Sequence, residues 1–231
     1  MKKSLVITEN LSKIYEGSFS VTGVEELTIS VPKGAFFCLA GPSGSGKSTL
    51  LKLLGGIERP SRGRIYIEGK DLTSMSRSEL SFFRLSSLGF VFQELNLISV
   101  LTARENVEFG LMLRKFSSKV RREKVMRIME ELGIEGLAER RPSEMSGGQQ
   151  QRVAVARAVV GNPLLLLADE PTANLDSHAT ANLIDLIRNL NISKGITCIL
   201  ASHDEQVLKK ADKILYLRDG KVSHIEQPEE L

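Results

Sequence analysis

The chain has 231 residues and a formal net charge of +3, and its composition, 42% hydrophobic and 26% charged, is ordinary for a globular protein. That length can bury one large core or two small ones. The charge is too small to indicate a nucleic acid or an anionic membrane, and we expect no nucleic-acid partner. No apolar run approaches the roughly 20 residues that cross a bilayer, and residues 1–10 lack the apolar stretch of a signal peptide. We therefore expect a cytosolic chain, unless a partner subunit brings it to a membrane.

The first third of the chain is predicted to be rich in strands. Residues 4–8, 26–31, 35–40 and 64–68 are short runs of β-branched and aromatic residues, separated by Gly and Pro. Because no helical pattern separates the second run from the third, some of these strands are expected to pair antiparallel. Two cysteines, Cys38 in the third run and Cys198 in a later one, are predicted to be core residues rather than metal ligands or a disulfide.

The middle of the chain is predicted to be mostly helical, and the last third to alternate between helix and strand. Between residues 76 and 139, apolar residues from Val120 to Leu132 recur at helical spacing before Gly133. Further on, helices are predicted at residues 146–160, 177–190 and 205–211, and strands at residues 164–168, 197–201 and 214–217. These strands are almost wholly apolar, as are strands covered on both faces, which predicts a parallel α/β core.

The segment GPSGSGKST, residues 41–49, has the pattern of a phosphate-binding loop. It follows the apolar run 35–40 and opens a predicted helix at residues 47–54, which is the context that such a loop requires. Its glycines let backbone amides converge on a phosphate, Lys47 adds a full positive charge, and the Ser48 hydroxyl can ligate Mg²⁺. A tight turn that matches by chance is the alternative, and the flanking strand and helix argue against it.

The segment LLLLADE, residues 164–170, is predicted to be a buried strand that ends in two carboxylates. Open α/β sheets bind ligands at the ends of their strands. Neighbouring residues of a strand point to opposite sides, so the two acids are expected to have different roles. Asp169 is predicted to reach Mg²⁺, and Glu170 to orient or deprotonate an attacking water near the γ-phosphate. The alternative is an exposed acidic turn before Pro171.

A second glycine-rich turn, residues 145–149 with the sequence MSGGQ, again opens a long predicted helix. Ser146 is a predicted N-cap and the two glycines leave backbone amides bare, so this signature turn is either an anion site or only a tight turn. One phosphate loop covers one face of a nucleotide, and a second amide-rich turn makes sense if it covers the γ-phosphate from the other side. If one chain holds the two turns too far apart, a two-fold dimer could bring each to the partner's nucleotide.

Together these segments resemble the nucleotide-binding subunit of an ATP-binding cassette (ABC) transporter over residues 5–222. The resemblance also includes FVFQELNL with Gln93, ANLD with Asp176 and ASHD with His203, and it departs from the family at Met145, where Leu is usual. It implies an α/β fold: a phosphate-loop NTPase core with a mainly parallel sheet, an N-terminal antiparallel β part and an inserted helical subdomain.

The resemblance further implies one ATPase domain over residues 1–231, with a β-rich part at 1–92, a helical subdomain at 93–145 and an α/β core at 146–231. Lys47, Glu170 and His203 would act in ATP hydrolysis, with Mg²⁺ held by Ser48, Gln93 and Asp169. The implied nucleotide-binding residues are Tyr15, Gly41, Pro42, Ser43, Gly44, Ser45, Gly46, Lys47, Ser48, Thr49, Gln93, Ser146, Gly147, Gly148, Gln149 and Asp176.

The resemblance implies that ATP lies between the phosphate loop of one subunit and the signature turn of a second copy. Tyr15 stands where the family stacks an aromatic ring on adenine, although it could equally be a core tyrosine. His203 is implied to hydrogen-bond a γ-phosphate oxygen, whereas His178 and His224 are interpreted as ordinary surface or core residues.

Several segments are most similar to the lipoprotein-releasing, macrolide-export and cell-division cassettes. For this group the resemblance implies that ATP-driven dimer closure works on a separate integral membrane subunit, so the chain would be peripheral at the cytoplasmic face of the plasma (inner) membrane. Residues 94–109 either receive a short helix of that subunit or pack within the helical subdomain. The alternative function is a non-transport cassette ATPase for cell division or envelope signalling. A small-molecule kinase does not explain the signature turn or the strand that ends in Glu170.

Overall fold

A computed structural model describes residues 3–17 and 20–228 of the chain. These residues form eleven strands. In chain order they are β1 (Ser4–Tyr15), β2 (Val21–Leu27), β3 (Ser30–Pro32), β4 (Phe36–Ala40), β5 (Arg62–Ile67), β6 (Lys70–Asp71), β7 (Leu88–Val91), β8 (Leu165–Asp169), β9 (Thr197–Ala201), β10 (Lys213–Arg218) and β11 (Lys221–Glu226). The α-helices are α1 (Lys47–Leu54), α2 (Arg77–Ser87), α3 (Ala103–Leu113), α4 (Ser118–Glu131), α5 (Gly147–Val159), α6 (Ser177–Lys194) and α7 (Glu205–Leu208). None of the helices in these described ranges is long and apolar enough to cross a membrane.

The strands form two sheets. The first is antiparallel, in the order β2-β1-β5-β6, with β3 paired to β1. The second has the order β11-β10-β4-β9-β8-β7, and all its pairs are parallel except the edge pair of β10 and β11. The predicted α/β fold, with a mainly parallel core and an N-terminal antiparallel part, is therefore confirmed.

Alternate residues of the parallel strands enter two different hydrophobic clusters, because successive side chains of a strand point to opposite faces. In β4, Phe36 and Cys38 face a cluster that contains residues of α3, α4, α5 and α6. The next residues, Phe37 and Leu39, face a cluster built from the antiparallel sheet, α1 and α2. The parallel sheet is thus covered on both sides, which explains its almost wholly apolar strands.

Several strands differ from the sequence-based expectation. The predicted strand 26–31 is divided between the end of β2 and β3. Leu88–Val91 lies in the stretch that was predicted to be mostly helical, yet it forms the edge strand β7 beside β8. Gly89 permits this position, because a Cβ there would lie 2.4 Å from the carbonyl oxygen of Ala158. Lys221–Glu226 was not predicted as a strand, since all six residues are exposed and show no apolar alternation.

Other boundaries also shift. The first strand runs to Tyr15 rather than ending at residue 8, and α7 ends at Leu208 rather than at residue 211. The third predicted strand, observed as Phe36–Ala40, does not join the antiparallel sheet but pairs in parallel with β9 and β10. The antiparallel pairing in this part of the chain instead links β1 to β2, β3 and β5.

Candidate nucleotide-binding site

The phosphate loop, residues 41–46, connects the buried strand β4 to the first turn of α1. All three of its glycines have backbone angles that favour glycine, with φ of 143° at Gly41, 78° at Gly44 and 104° at Gly46. A Cβ at Gly41 would lie 2.2 Å from the carbonyl oxygen of Leu217, and one at Gly46 would lie 2.3 Å from that of Gly23. The loop can therefore pack directly against other backbone segments, and it leads into the unpaired amides at the N-terminus of α1.

Lys47 is buried, and its ammonium group lies at the phosphate loop itself. The Nζ atom donates hydrogen bonds to the carbonyl oxygens of Gly41, at 2.7 Å, and Pro42, at 3.0 Å. A full positive charge is thus held beside the amides of the loop. An anion bound there would be attracted both by the partial charges of the helix N-terminus and by this ammonium group.

The two carboxylates at the end of β8 have different partners, although only Asp169 belongs to the strand and Glu170 follows it. Asp169 accepts a hydrogen bond from the Ser48 hydroxyl at 2.9 Å. The Oε1 atom of Glu170 lies 3.0 Å from Nδ1 of His203. Asp169 is therefore beside the first turn of α1, whereas Glu170 is beside the segment that follows β9.

Glu170 has a left-handed backbone conformation, with φ of 44°, which is unfavourable for a residue with a Cβ. Its amide donates to the carbonyl oxygen of Ala201 at 3.0 Å, and its own carbonyl oxygen accepts from the amide of Ala173 at 3.2 Å. These backbone bonds hold the strained residue in place. Strain of this kind is concentrated at functional sites, where it fixes the direction of a side chain.

A cleft of about 620 Å³ brings most of the candidate residues together. It is lined by Tyr15, Val21, Thr22, Gly23, Gly41, Pro42, Ser43, Gly44, Ser45, Gly46, Lys47, Ser48, Thr49, Gln93, Glu170, Ala173 and His203. Asp169 is not among the lining residues, but its hydrogen bond to Ser48 connects it to the cleft. The lining of the cleft thus combines a tyrosine, a phosphate loop, a carboxylate and a histidine.

Tyr15 is at the rim of the cleft, and 36% of its surface is exposed, so it is not a core tyrosine. Its hydroxyl donates to Oε2 of Glu58 at 2.7 Å, and Nζ of Lys13 lies 5.1 Å from the centre of its ring. Partial burial, followed by the interactions with Glu58, raises the pKa of Tyr15 above its ordinary value. The ring also lies against Gly23, where an added Cβ would be 2.8 Å from Cε2.

The segment after Gln93 is fixed by an arginine of α5. Leu95 and Asn96 have left-handed backbone angles, with φ of 45° and 49°. The Arg157 guanidinium donates to both of their carbonyl oxygens, at 2.6 Å and 2.5 Å. Burial lowers the pKa of Arg157 from its ordinary value. The C-terminal end of α5, the helix that the signature turn opens, thus contacts the segment that carries Gln93.

The signature turn is outside the cleft. Ser146 caps α5 in a capping box with Gln149, in which the Ser146 hydroxyl accepts from the Gln149 amide and the Gln149 side chain accepts from the Ser146 amide. Asp176 caps α6 through the amide of Ala179. Ser146, Gly148 and Gln149 line a separate cavity of about 510 Å³. A single chain therefore does not bring Ser146, Gly147, Gly148, Gln149 or Asp176 into the cleft of its own phosphate loop.

Some of the residues around the cleft were not predicted from the sequence. Gly23 lies within strand β2, where a glycine often marks a close approach of backbone, and this signal could have been used. Ala173 follows the acidic strand by only a few residues. Glu58 has no local signal, because its contact with Tyr15 depends on packing between segments that are 43 residues apart.

The oxygen donors at the cleft fit Mg²⁺. This cation prefers carboxylate, hydroxyl and carbonyl oxygens, and it commonly takes only one or two protein ligands together with phosphate oxygens. The Ser48 hydroxyl and the Asp169 carboxylate are 2.9 Å apart, and the Gln93 amide lines the same cleft. This set of donors contains no thiol or imidazole, in agreement with a hard cation.

The comparisons with known proteins all indicate the same family. The family model described as "ABC transporter" matches residues 24–173. The chain is 40% identical to the uncharacterized ABC transporter ATP-binding protein MJ1508 of Methanocaldococcus jannaschii, over 96% of this chain and 99% of that protein. It is 38% identical to the lipoprotein-releasing system ATP-binding protein LolD of Blochmanniella floridana, over 94% and 92% of the respective chains.

A similar solved structure is the dimeric post-hydrolysis state of the ATP-binding cassette MJ0796, bound to ADP and Pi. Its TM-score with this chain is 0.91 at 36% sequence identity, and the match covers 98% of this chain and all of that one. A protein of that name from Methanocaldococcus jannaschii is 38% identical to this chain. Cassettes of this family bind ATP together with Mg²⁺. By its motifs, its fold and these relatives, the chain belongs to the ABC transporter family, in which it is an ATP-binding domain.

Proposed function

We propose that this chain hydrolyses ATP in the cleft and that hydrolysis drives a separate membrane subunit. The observation that carries the proposal is the shared cleft, which combines the phosphate loop, Lys47, Glu170 and His203. The phosphate-loop amides and the Lys47 ammonium bind the phosphate chain. The same part of the cleft is also lined by Pro42, Ser43, Gly44, Ser45 and Thr49.

Ser48, Asp169 and Gln93 are proposed to hold Mg²⁺, through the donors described above. When bound, the ion neutralises charge on the phosphate oxygens. Of the three, Gln93 is on an exposed segment rather than on a regular element. A neutral amide binds the ion weakly, so Gln93 can engage or leave with the state of the γ-phosphate.

Glu170 is proposed to be the base that orients the attacking water and accepts its proton. The His203 ring, 3.0 Å from its carboxylate, is placed to hold that carboxylate and to hydrogen-bond a γ-phosphate oxygen. Only 15% of the Glu170 side chain is exposed, whereas 74% of the His203 side chain is. The carboxylate is therefore sheltered, whereas the imidazole is accessible from outside the chain.

Tyr15 is proposed to stack on the adenine ring. Its ring is at the rim of the cleft and is fixed by Glu58 at the hydroxyl and by Gly23 at the edge. An aromatic ring held in one position contributes stacking without a further loss of side-chain entropy.

The active form is proposed to be a dimer of two copies, with each nucleotide between the phosphate loop of one and the signature turn of the other. Two observations support this. The signature turn and Asp176 are outside the cleft of their own chain, and the similar cassette MJ0796 has been solved as a dimer with ADP and Pi. In such a dimer the signature turn would cover the γ-phosphate on the side opposite the phosphate loop. The residues proposed to do so are Ser146, Gly147, Gly148 and Gln149, with Asp176 nearby.

The membrane partner is proposed to dock on residues 94–109 and on α3, which would place this chain at the cytoplasmic face of the plasma (inner) membrane. Large apolar side chains are exposed there, with Val100 71%, Met112 51% and Phe109 41% exposed. Apolar patches on a protein surface commonly mark such contacts. The identity to LolD supports export or lipoprotein and envelope work as the coupled process.

A direct test of the hydrolytic proposal is the Mg²⁺-dependent release of phosphate from ATP by the purified chain. We expect Lys47→Ala to lose ATP binding, because it removes the charge at the phosphate loop. Lys119→Ala is the matched control, since Lys119 is also in the first turn of a helix, α4, and is exposed. Unchanged ATP affinity in Lys47→Ala, or an equal loss in Lys119→Ala, would refute the assignment.

A further inference from the structure

The turn between β10 and β11 contacts the phosphate loop from outside the cleft. It is a two-residue hairpin turn with left-handed angles at both positions, φ of 50° at Asp219 and 77° at Gly220. The Gly220 amide donates to the carbonyl oxygen of Ser45 at 3.1 Å. The Gly220 carbonyl oxygen accepts from the amide of Glu25 at 2.8 Å. One glycine therefore joins the phosphate loop to strand β2.

Backbone packs directly on backbone around this turn. A Cβ at Gly46 would be 2.3 Å from the Gly23 carbonyl oxygen and 3.5 Å from the Gly220 Cα. A Cβ at Gly41 would be 2.2 Å from the Leu217 carbonyl oxygen, just before the turn. With no side chain between these segments, a displacement of the turn is passed to the loop without a flexible group to absorb it.

The same contacts reach the side of the cleft where Tyr15 lies. A Cβ at Gly23 would be 2.8 Å from Cε2 of Tyr15 and 2.9 Å from Cγ2 of Thr49. A Cβ at Gly220 would in turn be 3.2 Å from the Gly23 carbonyl oxygen and from the Val24 Cα. The turn thus packs against β2, and β2 packs against the Tyr15 ring. The ion pair of Lys221 with Glu25, at 3.4 Å, lies beside the same contact.

We propose that Gly220 is a positioning residue for the nucleotide. Gly220 does not line the cleft. Its turn fixes the phosphate loop through Ser45, and through β2 it fixes the side of the cleft where Tyr15 is proposed to stack on adenine. The inference rests on the proposed function, since it assumes that the cleft binds ATP. A side chain at position 220 must push on backbone atoms of β2, which cannot rotate away as a side chain would. The phosphate amides and the Tyr15 ring would then lose their mutual alignment.

The chain contains a matched control for the test. Gly69 occupies the same position of the turn between β5 and β6, with φ of 77° preceded by 51° at Glu68. A Cβ at Gly69 would meet no atom within 4 Å. Gly69→Ala and Gly220→Ala therefore impose the same backbone strain, and only the second adds a contact. We expect both to lower the midpoint of thermal unfolding, and Gly220→Ala to lower it further because its added Cβ pushes on β2.

We expect the two alanine variants to differ in their affinity for ATP. We expect Gly220→Ala to raise the ATP dissociation constant and KM by about tenfold, with little change in kcat at saturating ATP, as a misplaced binding group would. Gly69→Ala should bind ATP as the parent does. Gly220→Asn and Gly69→Asn form a second pair, because Asn tolerates a left-handed conformation and both chains should fold. Gly220→Asn keeps the added contact, so it should still bind ATP weakly.

Equal ATP affinity in the two alanine variants, or in the two asparagine variants, would overturn the role of Gly220 while leaving ATP binding by the parent intact. A fall in kcat with an unchanged KM would also contradict positioning through the phosphate loop. If the parent itself binds no ATP, the proposed function fails and the inference fails with it. The parent titration thus distinguishes the two failures.

Discussion

Nδ1 of His203 lies 3.0 Å from Oε1 of Glu170, and these residues follow the neighbouring parallel strands β9 and β8. The carboxyl ends of parallel strands meet at one edge of a sheet, so two segments that are 33 residues apart supply one acid and one imidazole to the same cleft. The carboxylate is further fixed by the left-handed backbone at Glu170. This pair is the basis of the first prediction.

Glu170→Gln should bind ATP but lose at least about 100-fold in turnover, because an amide cannot accept the proton of the attacking water. Phosphate release and ATP affinity would be measured separately. Glu205→Gln provides the control, as it makes the same chemical change at a side chain that is 84% exposed. Turnover of Glu170→Gln within a few-fold of the parent would mean that another group activates the water.

The sequence predicts the elements around the cleft best where apolar runs are flanked by Gly or Pro. The helix Lys47–Leu54 and the strand Thr197–Ala201 have the predicted bounds. The strand Leu88–Val91 was not found, because it follows α2 directly, with no intervening turn residue. Lys221–Glu226 was not found because its exposed residues show no apolar alternation, although the Asp219–Gly220 pair before it is typical of a hairpin turn.

Contacts that depend on tertiary packing had no signal at all in the sequence. The bond of Tyr15 to Glu58, the bonds of Arg157 to the carbonyls after Gln93, and the bond of Gly220 to Ser45 each join segments far apart in the chain. None of them follows from periodicity or from a motif. The motif residues that line the cleft were thus predictable from the sequence, whereas the partners in these three contacts were not.

Cys38 and Cys198 are both free and buried, which confirms their prediction as core residues. Burial raises the pKa of the Cys38 thiol to about 12 and also raises that of Cys198. At pH 8 both groups are therefore neutral thiols, whereas the reactive species is the thiolate. A disulfide reagent should label neither cysteine of the native chain and both in guanidinium chloride. Rapid labelling of one thiol without denaturant would contradict this placement.

Asn106 is completely buried and organises the segment before α3. Its side-chain oxygen accepts from the amide of Ile98 at 2.8 Å. Its amide nitrogen donates to the carbonyl oxygens of Ile98, Leu101 and Thr102, at 3.0 to 3.2 Å. Asn106→Ala should lower the free energy of unfolding by about 2–4 kcal/mol, since several polar groups lose their partners.

Denaturant titration would measure this change. The control Asn182→Ala removes an exposed helical asparagine and should change the free energy of unfolding by less than about 0.5 kcal/mol. Equal effects of the two substitutions would show that the network around Asn106 contributes little to stability.

The last prediction concerns the separation of the signature turn from the phosphate loop. Ser146→Arg should bind ATP normally, because Ser146 is outside the cleft of its own chain, but it should not form a closed dimer. The Lys47→Ala chain should be inactive as well. A dimer that contains one chain of each kind has one site with both defects and one site made from the intact phosphate loop of the first chain and the intact signature turn of the second.

Mixing the two inactive chains should therefore restore ATP hydrolysis. If the chains associate at random and the sites act independently, about a quarter of the parent rate is expected. Ser76→Arg is the matched control for Ser146→Arg, because Ser76 also caps a helix in a capping box, with Glu79, and loses the same cap. It should remain active alone. If each signature turn served its own chain, every subunit would keep its defect, and the mixture would be as inactive as its components.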